Sequence, residues 1–150
     1  MQHYFRFAAM IASSMLVMYG VSYLNTFALD HVYFSQTRLF MTLMMGATMA
    51  AIMLGFMWKM YQGLVPKLGI LATAGLVFVA ALILVRTQVT VGDAAYMEAM
   101  IPHHSIAILT STNAEISDPR VRELADAIIE TQREEIAEMK ALIADLRAAD

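Results

Sequence analysis

Apolar residues fall into three long uninterrupted stretches in the first part of the chain and into a periodic pattern in the rest. Phe7 to Leu29 is 23 uncharged residues between Arg6 and Asp30, Leu39 to Trp58 is 20 between Arg38 and Lys59, and Leu68 to Val85 is 18. A helix needs about 20 apolar residues to cross a hydrocarbon core about 30 Å thick, so each stretch predicts a transmembrane helix. Beyond these spans, Thr87, Gln88, Thr90 and Gly92 mark a change of composition, and Asp93 is placed to cap a new helix running to about Ala114. Ser117-Asp118-Pro119 breaks that helix, with Asp118 as the cap and Pro119 as the first residue of another that extends to about Ala148. On the last helix Val121, Leu124, Ala125, Ile128, Ile136, Met139, Ile143 and Leu146 form one apolar stripe, and Arg, Glu and Asp cover the remainder. The predicted fold is all-α: a three-helix transmembrane domain over residues 1–90, then an extramembrane antiparallel helical hairpin over residues 91–150.

Charge sharpens this division. Residues 1–92 hold five Lys/Arg against a single Asp, whereas residues 93–150 hold five against twelve acids. Nucleic acid is excluded as a partner, because its phosphates require clustered Lys and Arg. The chain has no cysteine, so disulfides and thiolate metal sites are excluded too. Arg6, Lys59 and Lys67 share one side of the predicted spans, which by the positive-inside rule puts the N-terminus in the cytoplasm and the hairpin on the outer side of the membrane; Arg86 opposes that bias. Thr26-Phe27-Ala28 offers a weak signal-peptidase pattern, but the first apolar run exceeds the roughly 7 to 15 residues of a signal core, so a retained helix is expected. No nucleophile triad, nucleotide loop or paired-carboxylate cleft is legible, which points away from an enzyme and from an organic cofactor.

The second span carries Met41, Met45, Met49, Met53 and Met57 at every fourth position, a row that winds by about 160° along the helix. Flexible thioethers filling gaps between helices explain it without further chemistry. A thioether ladder conducting a soft cation is the sharper alternative, with Asp30 and His31 near its outer mouth, but the row lacks the acid or histidine common in transport paths. Gly46, Gly55, Ala47, Ala50 and Ala51 predict close approach of a neighbouring helix.

In the hairpin, offsets of three and four residues put Met97, Met100 and His104 on one side of the first helix, with His103 beside them. Antiparallel pairing about residues 115–118 sets position 100 opposite about 132 and position 97 opposite about 135, so Gln132, Glu135 and Met139 face this group. Thioether and imidazole suit copper(I) first and silver(I) second, whereas zinc prefers the absent Cys/His clusters and a ferritin-type di-iron site requires an absent Glu-x-x-His. The alternative is that the adjacent histidines simply stack, one in water and one bonded across the hairpin. Pro102 either frames the pair within a helix or begins the helix proper.

Tyr96 to Ile108, with its Met-x-x-Met-Ile-Pro-His-His core, is followed by Asp118 to Ala125 and by Ile129 to Met139 with Gln-x-x-Glu-Ile-x-x-Met. In combination these segments resemble domain-of-unknown-function family 305, the CopM-like group of the ferritin-like class, over about residues 93–146. The resemblance implies a periplasmic helical bundle that binds copper or silver, with Met97, Met100, His103, His104 and Met139 at the metal-associated positions and Gln132 and Glu135 at the polar pair facing them. Leu109-Thr110 stands where many relatives have another methionine, and the extended Met/His-rich segments of copper-storing relatives are absent, so one modest site per hairpin is expected. Relatives often build four helices from two hairpins, and a homodimer would complete such a bundle here. The resulting expectation is a non-enzymatic, membrane-anchored copper/silver-binding protein for tolerance or for delivery to a copper-accepting protein, in contact with membrane lipids. The alternative is an accessory subunit docking into a larger membrane complex.

Overall fold

The structure is a computed structural model describing residues 2–149, and it is helical throughout. Helices α1 (Gln2–Val21), α2 (Gln36–Phe56) and α3 (Leu64–Thr87) are followed by α4 (Asp93–Asn113) and α5 (Pro119–Ala149), with a 3₁₀ turn at Leu29–His31 and no strand among the described residues. The first three are each long and apolar enough to cross a membrane.

The most informative departure is at the end of α1, which stops at Val21 although the apolar run continues to Leu29. Polar residues cluster where the helix stops, and the Arg38 guanidinium donates to the Ser22 carbonyl there. The Ser22 hydroxyl donates to the Tyr19 carbonyl at 2.6 Å and the Thr26 hydroxyl to the Tyr23 carbonyl at 3.0 Å, local bonds of the kind that compete with helix continuation. The α3 terminus is defined by Gln88, whose left-handed backbone (φ 52°) ends the helix while its N–H still donates to the Leu84 carbonyl at 2.9 Å. Its side-chain oxygen accepts from the Thr37 hydroxyl at 3.0 Å.

Two compact units result. The first combines the segment up to Ser22 with Thr37–Thr90; the second combines Tyr23–Gln36 with the segment from Val91 onward. A division at residue 90 alone therefore assigns Tyr23–Gln36 differently from the structure, because that connecting segment packs with the hairpin.

In the first unit Phe7, Leu54 and Tyr61 form a buried cluster, with Phe7 and Tyr61 edge to face at 5.5 Å. The Tyr4 hydroxyl donates to the Gln62 carbonyl at 2.8 Å, holding the start of α1 against the α2–α3 connection. Gly46 permits close approach as expected, since a Cβ there would overlap the Met15 side chain. Gly55 does not, because a Cβ added there would meet nothing within 4 Å. The methionine row divides as it winds: Met53 and Met57 pack on the aromatic cluster, while Met41 and Met45 are exposed.

In the second unit Met97, Ile101 and Ile108 of α4 pack against Ile136 and Ile143 of α5, and Tyr33 from the connecting segment joins them. Asp118 starts α5 as expected, accepting the Arg120 N–H at 2.9 Å and its guanidinium at 2.7 Å. The Arg120 bonds hold the Asp118 carboxyl below the usual carboxylate range and raise the guanidinium in turn. Asp93, expected as a cap, is the first helical residue instead, and Gly92 takes the cap position without a side-chain bond. An acid in the first turn still complements the helix dipole there. Pro102 lies buried inside α4 rather than at its start.

Candidate metal centre

The buried core of the hairpin sets the orientation of its polar seam. With Ile101 and Ile108 directed into the α4–α5 interface, helical spacing carries Met97, Met100 and His104 along the adjoining face. There they meet Glu135, Glu138 and Met139 of α5 in an open cleft of about 720 Å³.

His104 is held at both ring nitrogens. Nδ1 lies 2.9 Å from the Met100 carbonyl, an acceptor only, so Nδ1 carries the proton and donates. That bond fixes the tautomer in which Nε2 is the ligand nitrogen. Nε2 lies 2.8 Å from Glu135 Oε2, and the Gln132 amide donates to the same oxygen at 3.2 Å. The expected juxtaposition of the two polar sets is therefore present, in a shifted register. His104, rather than Met97, contacts Glu135.

The structure brings together Met97, Met100, His104, Glu135 and Met139 around the cleft. Gln132 stands behind Glu135 as its hydrogen-bond partner. His103 does not line the cleft. It is exposed and meets His104 edge to face at 6.0 Å between ring centroids, so the stacking expected of adjacent histidines and the cross-hairpin bond of His104 both occur. Among the described residues no group of three or more His, Cys, Asp or Glu is arranged to hold a metal ion.

A second polar constellation lies one residue away, and no sequence pattern marks it. Ser105 is fully buried in α4. Its hydroxyl oxygen accepts the Phe27 N–H at 2.7 Å and lies 2.9 Å from His31 Nδ1. Burial keeps His31 below the ordinary histidine range, helped by the Lys140 ammonium and opposed by Asp30. The Lys140 ammonium donates to Asp30 at 2.6 Å, and that bond lowers the Asp30 carboxyl. From sequence, Asp30 and His31 are legible as groups near the outer mouth of the methionine row; the partner serine has no distinguishing pattern, being one of several hydroxyl residues on α4.

A helical hairpin with a Met/His seam, preceded by three apolar helices, is the class these features define. Residues 82–147 match the family described as Domain of unknown function (DUF305), and the chain belongs to that family. The match begins inside α3, earlier than the motif-bearing segment. An uncharacterized protein of Acanthamoeba polyphaga mimivirus is 35% identical over 102 residues, which cover 63% of this chain and 67% of that protein. No solved structure matches the chain.

Proposed function

We propose that this protein is a non-enzymatic, membrane-anchored carrier that captures copper(I), or silver(I), as cargo in the α4–α5 cleft. The observation that carries the reading is the convergence of Met97, Met100, Met139 and His104 on one cleft, with His104 oriented through Nδ1. Thioether sulfur and a neutral imidazole are the donors that soft monovalent cations favour. Glu135 sets a condition on capture. Nε2 lies 2.8 Å from this carboxylate, so a cation at Nε2 must displace that contact. Glu135 then remains nearby as compensating charge, with Gln132 holding it. Under this reading α1 to α3 anchor the chain in a bacterial inner membrane with the N-terminus in the cytoplasm, residues 91–150 supply the periplasmic metal-binding part, and cargo passes to a copper-accepting protein. A second hairpin completing a four-helix bundle would cover the exposed Val121, Leu124 and Ile128.

The test is a titration of the detergent-solubilised full chain with copper(I) under reducing conditions against a colorimetric competitor, beside Met100→Ala/His104→Ala. Binding of about one ion per chain, lost in the variant, is expected. Binding that is absent, or unchanged by the variant, overturns the metal reading and leaves a docking role in a larger complex.

A further inference from the structure

The first unit contains a groove that copper capture does not use. It has a volume of about 570 Å³, is lined by all three apolar helices, and is almost wholly apolar. On α1 it runs from Tyr4 to Met15 and on α3 from Pro66 to Val77. At about 1.5 Å per residue, each run is roughly 16 Å long, about half of a hydrocarbon core about 30 Å thick. That is the depth of one leaflet and the reach of one acyl chain.

The mouth of the groove is at a defined end of the helices. Tyr4 packs on Tyr61 at 5.0 Å between ring centroids and bonds Gln62, so the start of α1, the end of α2 and the start of α3 lie together. The same end carries Arg6, Lys59 and Lys67, and Lys67 sits 4.7 Å from the Trp58 ring centroid. Residues 1–22 and 37–90 contain no Asp or Glu, so these cations have no carboxylate within their unit. Lys59 is exposed and Lys67 follows the groove-lining Pro66, whereas Arg6 lies about 170° around α1 from Tyr4, Ala8 and Ile11. Tyr4, Trp58 and Tyr61 supply the aromatic residues characteristic of a membrane interface.

We propose that this groove seats an acyl chain of an anionic glycerophospholipid whose phosphate is drawn by Lys59 and Lys67. The inference rests on the membrane setting proposed above and not on the metal reading. Charge selects the lipid, since a zwitterionic headgroup leaves the cluster uncompensated. The groove then selects for a chain held between the helices rather than a lipid merely adjacent to them.

The test places the full-length protein in nanodiscs of equal phosphatidylglycerol and phosphatidylcholine, then identifies retained lipid by native mass spectrometry after release into detergent. Retained phosphatidylglycerol is expected to exceed phosphatidylcholine, with about a fivefold loss of preference for each of Lys59→Gln and Lys67→Gln. Gly69→Leu fills the groove from a position where an added Cβ meets nothing within 4 Å, and should reduce retention of both lipids while circular dichroism confirms an unchanged helix content. Equal retention of the two headgroups, or retention unaffected by Gly69→Leu, overturns the proposal. A second chain in place of lipid in the mass spectrum also overturns it. Failure of the protein to float with vesicles instead defeats the membrane setting itself, which separates the two failures.

Discussion

Ser105→Ala removes one buried oxygen and tests whether Tyr23–Gln36 is held to the hairpin by that hydroxyl. The substitution leaves the Phe27 N–H without its 2.7 Å acceptor and His31 Nδ1 without its 2.9 Å partner. An unpaired buried polar group costs about 1 to 3 kcal/mol. His31 can turn toward water, so the loss is dominated by the Phe27 amide and is about 2 kcal/mol, or roughly a 30-fold rise in the opening equilibrium of the segment. The remaining anchors, Tyr33 on the core and the Lys140–Asp30 bond, keep the segment associated, so a local rather than a global effect is expected. Hydrogen–deuterium exchange on the detergent-solubilised full chain would read this directly in peptides covering residues 23–36. Thr110→Val is the control, since Thr110 is exposed and bonds only within its own helix. Unchanged exchange in residues 23–36, or a loss of protection spread evenly through α4 and α5, would refute the reasoning by showing that the hydroxyl serves only the helix interior.

Acid should loosen the same segment. His31 titrates below its ordinary value when docked, so the folded form binds its proton less readily than the free chain; docking is complete above about pH 6.5 and weakens as pH falls below it. Exchange of residues 23–36 measured at neutral pH and near pH 5 checks this, and equal protection at both would contradict it. Lys140→Met removes a charge that depresses His31 and the bond that depresses Asp30, so both should titrate higher by NMR, an outcome not expected if Lys140 lies free in solution. Ile136→Ala, at a fully packed position between α4 and α5, should lower unfolding stability by about 2 to 5 kcal/mol in a denaturant series. Gly46→Val should destabilise the first unit through overlap with Met15, and Met15→Ala should recover part of the loss in a thermal melt.

The helical class and the positions of all five helices are legible in the sequence because long apolar runs and the Asp118-Pro119 start signal are local properties of the chain. The end of α1 is not, because hydrophobicity alone does not register the Arg38 guanidinium that donates to the Ser22 carbonyl. In the candidate site, helical spacing suffices to place Met97, Met100 and His104 on one face, and the polar residues of α5 opposite them. Spacing does not show that this face, rather than the one carrying His103, turns toward α5, since that requires the helix rotation set by Ile101 and Ile108 in the core. The pairing of Ser105 with His31 spans 74 residues, and no periodicity within either segment encodes it.

That separation has a consequence for biosynthesis. The second unit is assembled from pieces that leave the ribosome at different times, with α2 and α3 made in between. At roughly 5 to 20 residues per second, about 4 to 15 s separate the synthesis of the connecting segment from that of its serine partner. Until then Phe27 and His31 have no Ser105 to meet, and the segment must wait in water or at the lipid surface. A chain stalled before α4 would thus display an undocked stretch that a quality-control factor could recognise, and release from that factor would report completion of the hairpin.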